Sequence, residues 1–89
     1  MKIKITYKKL GKEKAHGIAC SDGEVFIDSR LRGKKHAEIL LHECLHLLLP
    51  EADEEEIVRI SVALTKILWK EGYRRVDNHD KDLLQDGSK

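Results

Sequence analysis

Residues 40–49, LLHECLHLLL, place two histidines and a glutamate inside the most apolar stretch of the chain. On a helical wheel Cys44 and all the leucines except Leu49 cover one side, whereas His42 and His46 lie on the opposite side beside Ile39 and Leu49. Such a helix is apolar nearly all round, so we expect it to be covered on both sides. Pro50 is expected to end it. Burying an imidazole without a hydrogen-bond or metal partner among apolar side chains would destabilise the fold, so these polar residues need a specific role.

The segment HECLH has the form HExxH, which predicts a metal site. His42 and His46 are four residues apart and project from one helix face, where both can bind the same ion. Zinc suits nitrogen and oxygen ligands in a tetrahedral site and lowers the pKa of a bound water to about 7. Glu43 lies to the side, where it can accept a proton from that water. The alternative is a pair of core histidines bonded to backbone or carboxylate groups.

Two histidines do not complete a zinc site, so a third ligand is needed. On the second predicted helix, Glu54 shares a side with Ile57 and Ser61, near the middle of the inward face. We therefore favour Glu54, with Glu55 second, while noting that acidic residues also suit a helix N-terminus because of the helix dipole. The full set of candidates is Glu51, Asp53, Glu54, Glu55, Glu56 and His79.

Periodicity around this motif predicts an α+β domain. Residues 2–10 alternate as a half-buried strand, residues 15–20 form a weaker strand, and residues 24–29 form a third after a Ser-Asp-Gly turn. We expect a three-stranded antiparallel sheet on two helices. The second helix should begin after Asp53, its N-cap, with Glu56 three residues later, and should stop near Gly72. Its apolar stripe is predicted to be Ile57, Ile60, Leu64, Ile67 and Leu68. Residues 1–75 then form one domain, and residues 76–89 form a polar tail.

Composition narrows the classes of function. The chain has 89 residues, of which 40% are hydrophobic and 37% charged, with a net charge of +1. A nearly neutral chain is not expected to bind nucleic acid or an anionic membrane, and the leucine run is too short to span a bilayer. Two cysteines and no apolar leader favour a cytoplasmic location. We predict Cys44 to be a small core residue and His36 to be solvated.

The stretch LLHECLHLL, followed by a helix that opens DEEEIVRI, resembles the small HExxH zinc proteins called minigluzincins. It also resembles short phage-encoded metallopeptidase-like proteins. The resemblance covers roughly residues 24–70 and implies a minimal zincin-like core with His42, His46 and Glu54 as ligands and Glu43 as general base. It further implies that the strand at residues 24–28 is an edge strand that aligns a peptide. A latent state is also implied, in which Asp77, His79 or Asp80 of the tail covers the cleft.

Two functions follow as hypotheses. The first is a zinc-dependent peptidase acting on a peptide or protein substrate, for which His16, Tyr7 and Tyr73 are candidate oxyanion donors. The second is a non-enzymatic accessory or regulatory protein in which zinc is structural and links two helices. Glu43 favours the peptidase, because a structural zinc site has no use for a carboxylate beside the metal. A nuclease is disfavoured because no third histidine follows closely. Apolar side chains left exposed would indicate a homodimer.

Overall fold

A computed structural model describes residues 2–11 and 16–76 of the chain. Five elements follow one another along it: β1 (Lys4–Lys8), β2 (Gly17–Ala19), β3 (Glu24–Asp28), α1 (Gly33–Leu48) and α2 (Glu54–Lys70). The predicted α+β class is confirmed. The tail from residue 77 onward, with Asp77, His79 and Asp80, lies outside the described residues, so its predicted role and the predicted boundary at residue 75 stay predictions.

The three strands form a mixed sheet in the order β1-β3-β2. β3 pairs with β1 in parallel and with β2 in antiparallel orientation, so the predicted purely antiparallel sheet is wrong. Strands that follow one another in sequence often pair, and that tendency favoured a meander. Here the more apolar β3 occupies the centre, where Val25 and Ile27 are fully buried, and the three-residue β2 lies at an edge.

One face of the sheet packs against α1. Val25 and Ile27 of β3 lie on this face, and their partners across the sheet are Ile5 on β1 and Gly17 on β2. Directly paired residues point to the same side of a sheet. α1 packs on β2 and β3, and α2 packs on α1. Within residues 2–11 and 16–76, α2 makes no close backbone contact with any strand. Helix α1 therefore lies between the sheet and α2, in agreement with the expectation that it is covered on both sides.

A short loop after β3 fixes where α1 begins. The Asp28 carboxylate accepts hydrogen bonds from the backbone N–H of Arg30 at 2.9 Å and from its guanidinium at 2.9 and 2.7 Å. These bonds hold the pKa of Asp28 far below its usual range. The Arg30 guanidinium also donates to the carbonyl of Leu10, which ties the loop to the end of β1.

Both ends of α2 lie where the sequence predicted. The Asp53 carboxylate accepts a hydrogen bond from the Glu56 N–H at 2.9 Å and so caps the N-terminus. At the other end Gly72 has a φ of +90°, its N–H donates to the Trp69 carbonyl, and the Tyr73 N–H donates to the Leu68 carbonyl. This pattern is a Schellman motif, in which glycine adopts a left-handed conformation at low cost.

Only part of the predicted apolar stripe lies on the buried face of α2: Ile57 is fully buried, and the inward position expected for Ser61 is confirmed. Ile57, Ser61 and Thr65 are the buried residues of the helix, whereas Leu64 and Ile67 are 38% and 56% exposed. Small hydroxyl side chains at a spacing of four residues allow two helices to approach closely. Their hydroxyl groups form hydrogen bonds within α2 itself: the Thr65 hydroxyl donates to the Ser61 carbonyl at 2.6 Å. Leu64 and Ile67 therefore lie to the sides of the face that meets α1. No described helix is long and apolar enough to cross a membrane.

Candidate metal centre

Two imidazoles of α1 converge near the start of α2. His42 and His46 lie one helical turn apart, and their Nε2 atoms are 3.2 Å from each other. Their rings meet edge to face, with centroids 4.8 Å apart. The side chain of His42 is 17% exposed and that of His46 is 34% exposed, so both are partly accessible to solvent.

Glu54, the first residue of α2, brings a carboxylate to the same point. Its Oε1 lies 2.9 Å from Nε2 of His46, and its Oε2 lies 3.2 Å from Nε2 of His42. The Asp53 cap fixes the beginning of α2, and therefore the position from which Glu54 reaches across to α1. His42, His46 and Glu54 form a group whose ligand atoms all lie within 4.8 Å of one another.

The other acidic candidates are not brought to the histidines in the described part of the chain. The Asp53 carboxylate is used by the helix cap, and the Glu56 carboxylate lies 3.7 Å from the Arg59 guanidinium. Glu51 and Glu55 are exposed and do not belong to the cluster. His79 lies outside the described residues. The wheel argument that preferred Glu54 therefore agrees with the geometry, while its role as a ligand stays a prediction.

The spacing of the two imidazole nitrogens, with a carboxylate oxygen beside each, is close to that of ligands around a tetrahedral ion. Ligand atoms that share a zinc ion at about 2.0–2.1 Å lie about 3.3 Å apart. The two Nε2 atoms are 3.2 Å apart, and each lies close to a different oxygen of Glu54: Oε2 is 3.2 Å from that of His42 and Oε1 is 2.9 Å from that of His46. Two imidazole N–H groups donating to one carboxylate would give similar distances, so binding of the ion itself is the deciding measurement. The donor set, two nitrogens and one oxygen, suits zinc.

Glu43 lies beside the cluster and is held between α1 and β2. Burial raises the pKa of its carboxyl group, His42 and His46 lower it, and Glu54 raises it again. A Cβ atom built on Gly17 would lie 2.9 Å from Cγ of Glu43, so the strand backbone passes directly against this side chain. Sequence reasoning missed Gly17. The available signal was a glycine within a predicted strand, which often marks a close approach of another group to the backbone.

The strand that borders Glu43 is β2, and not the strand that the resemblance implied. The strand at residues 24–28 is the central β3, paired on both sides, so it offers no free edge. His16 and Cys20 form backbone hydrogen bonds with β3. In an antiparallel pair such residues alternate with residues whose N–H and C=O groups point away. Gly17 and Ala19 therefore direct these groups to the outer edge of β2, which no other described strand covers.

Other singled-out residues have different surroundings. His36, predicted to be solvated, is 5% exposed, because it turns toward β1, where its Nε2 lies 3.0 Å from the Tyr7 hydroxyl. This contact holds Tyr7 away from the histidine cluster. Tyr73 lies with Tyr7 and His36 along a groove that contains no residue of that cluster. Cys44 is half-buried, and burial followed by the Glu43 charge raises the pKa of its thiol. His16 is exposed beside Gly17.

Comparison of the chain with models of protein families, with curated proteins and with solved structures found no match. The geometry of His42, His46, Glu54 and the adjacent Glu43 is therefore the basis for a functional hypothesis.

Proposed function

We propose that the protein is a zinc-dependent peptidase in which His42, His46 and Glu54 hold the ion. The observation that carries this proposal is the convergence of two Nε2 atoms and a carboxylate, at 2.9–3.2 Å from one another, with Glu43 alongside. Zinc in this position would supply a water molecule with a pKa of about 7 and polarise a carbonyl oxygen.

Glu43 has the properties of a general base. It is half-buried, it is not a member of the ligand cluster, and burial raises the pKa of its carboxyl group, which makes it a better proton acceptor. It would accept a proton from the attacking water and later pass it to the leaving amine. A structural zinc site has no comparable use for a carboxylate in this position.

The substrate would be an extended polypeptide aligned along β2. The outward N–H and C=O groups of Gly17 and Ala19 form an edge with which no other described strand pairs, and Gly17 lies directly against Glu43. A peptide added to that edge would gain backbone hydrogen bonds irrespective of its sequence. Its chain would then pass beside the proposed base, as hydrolysis of an internal peptide bond requires.

A structural zinc site is the second candidate function. It is favoured by the location of the cluster, because Glu54 and the histidines bridge the contact between α2 and α1, and α2 makes no close backbone contact with the described strands. Metal binding at such a position would stabilise the folded domain directly.

Zinc content tests the ligand set. We expect purified protein to bind one equivalent, and Glu54→Ala to weaken zinc binding by at least about a hundredfold, since even residues that only support ligands contribute about ten- to a hundredfold. Glu55→Ala is the matched control, because it removes the same charge from the neighbouring position of the same helix. Equal losses in both variants, or none in Glu54→Ala, would contradict the assignment.

Cleavage of an unselected peptide library then separates the two functions. Glu43→Gln should retain zinc while losing about a hundred- to ten-thousandfold in turnover, the usual contribution of a general base. Zinc binding by the wild type without any Glu43-dependent cleavage would reject the peptidase and leave the structural site. Failure to bind zinc would reject both.

A further inference from the structure

A concave surface lies on α1 away from the histidine cluster, and the proposed peptidase does not use it. It is a half-open groove of about 950 Å³ between β1, the N-terminal part of α1 and the segment that follows α2. It shares no residue with the histidine cluster. We call it the arginine groove, and its polar and aromatic lining includes Tyr7, Arg32, His36, Trp69, Arg74 and Arg75.

The charges of the groove have one sign. Arg32, Arg74 and Arg75 line it, and no described lining residue is acidic. In the chain as a whole, 17 basic residues are nearly balanced by 16 acidic ones, so this concentration is local. Within residues 2–11 and 16–76, none of the three arginines forms an ion pair with a carboxylate. An anionic ligand would therefore find guanidinium groups available to it.

Two of these arginines are held in position by aromatic rings. The Arg74 guanidinium lies 3.8 Å from the centroid of the Trp69 ring and donates to the Trp69 and Tyr73 carbonyls. The Arg75 guanidinium lies 4.4 Å from the centroid of the Tyr7 ring. Stacking of this kind restricts the side chains before a ligand arrives, which lowers the entropic cost of binding.

The floor of the groove is apolar. Ile5 of β1, Leu40 of α1 and Leu68 of α2 contribute to it, and α2 does not reach the sheet to cover them. A purely ionic ligand would leave these side chains exposed to water. The lining therefore matches a ligand that carries carboxylates and apolar groups in turn.

The same arrangement disfavours nucleic acid. Proteins that bind single strands offer open aromatic faces on which bases stack. The Tyr7 ring instead stacks against His36, with centroids 5.6 Å apart, and Arg75 lies over it as well. Arg74 lies over the Trp69 ring. At least one face of each ring is therefore occupied by a guanidinium group.

We propose that the arginine groove binds an acidic peptide segment with interspersed apolar side chains. Its carboxylates pair with Arg74 and Arg75, and its apolar side chains cover Ile5, Leu40 and Leu68. The proposal does not depend on zinc or on peptidase activity.

Trp69 provides the assay, because it is the only tryptophan of the chain and lies in the groove. The full chain is titrated with a short peptide of alternating glutamate and leucine while tryptophan emission is followed. We expect a saturable change that weakens with added salt. A peptide with lysine in place of glutamate should produce none. Arg74→Gln combined with Arg75→Gln should weaken binding by about tenfold or more, since each variant removes charge-assisted hydrogen bonds.

The control is Arg59→Gln, which removes one positive charge, half of what the double variant removes, from an exposed position on α2 outside the groove. It should leave the affinity unchanged, and circular dichroism of each variant checks that it folds. No saturable change with the acidic peptide would overturn the proposal. So would an equal loss in Arg59→Gln, or equal binding of a single-stranded oligonucleotide; the last result would indicate a nucleic-acid site.

Discussion

Replacing Gly17 with alanine tests the close approach of β2 to the proposed base. The new Cβ would lie 2.9 Å from Cγ of Glu43, 3.1 Å from Cγ2 of Ile39 and 3.2 Å from the Phe26 carbonyl oxygen. Carbon atoms normally pack at about 3.5–4.0 Å, so the Glu43 contact is about 0.6 Å too short. Overpacking of this kind destabilises a domain by about 1–3 kcal/mol. We expect that loss in urea denaturation of the metal-free protein.

A double-mutant cycle assigns the loss to Glu43. Glu43→Ala removes the Cγ atom, so Gly17→Ala should be about 1 kcal/mol less costly in that background than in the wild type, a coupling typical of residues in contact. Glu43→Gln is the matched control, because it retains Cγ and should leave the cost of Gly17→Ala unchanged. Zinc binding should persist in Gly17→Ala, since Glu43 is not in the ligand cluster, while peptide cleavage should fall.

Two results would refute this reasoning. If Gly17→Ala is as stable as the wild type, the strand does not approach α1 as closely as the structure indicates. If the cost is the same with Glu43→Ala as in the wild type, the clash is with Ile39 or the Phe26 backbone, and Gly17 does not position Glu43.

Three further measurements follow from the structure. Asp53→Ala should destabilise the metal-free protein by about 1 kcal/mol in urea, because the cap on the Glu56 N–H is lost; an unchanged midpoint would contradict the cap. Zinc at a thousandfold excess over its dissociation constant should stabilise the protein by about 4 kcal/mol, and a chelator or His46→Ala should abolish the gain. Burial, then the charges of Arg75 and Arg32, lower the pKa of His36 below 6.5. The unfolded chain therefore binds more protons below that pH, stability should fall as the pH drops below about 6.5, and His36→Gln should reduce this loss; equal pH profiles would argue against it.

Local patterns in the sequence determined the elements of this protein and much of its candidate site. Pro50 follows the end of α1, Asp53 caps α2 and Gly72 closes its last turn, because each acts on backbone groups within a few residues of itself. The pairing of His42 and His46 was also predictable from local sequence, since a spacing of four residues on any helix brings two side chains to one face.

Contacts between distant residues were decided only by the tertiary structure. Periodicity cannot distinguish a parallel from an antiparallel neighbour, so the central place of β3 was missed. The reach of Glu54 to the histidines depends on how α2 crosses α1, which Ser61 and Thr65 permit by being small. The burial of His36 and the passage of Gly17 against Glu43 depend on strands that lie far from α1 in sequence. A residue's own neighbours fix its local conformation, but which surface it meets is set by the packing of the whole domain.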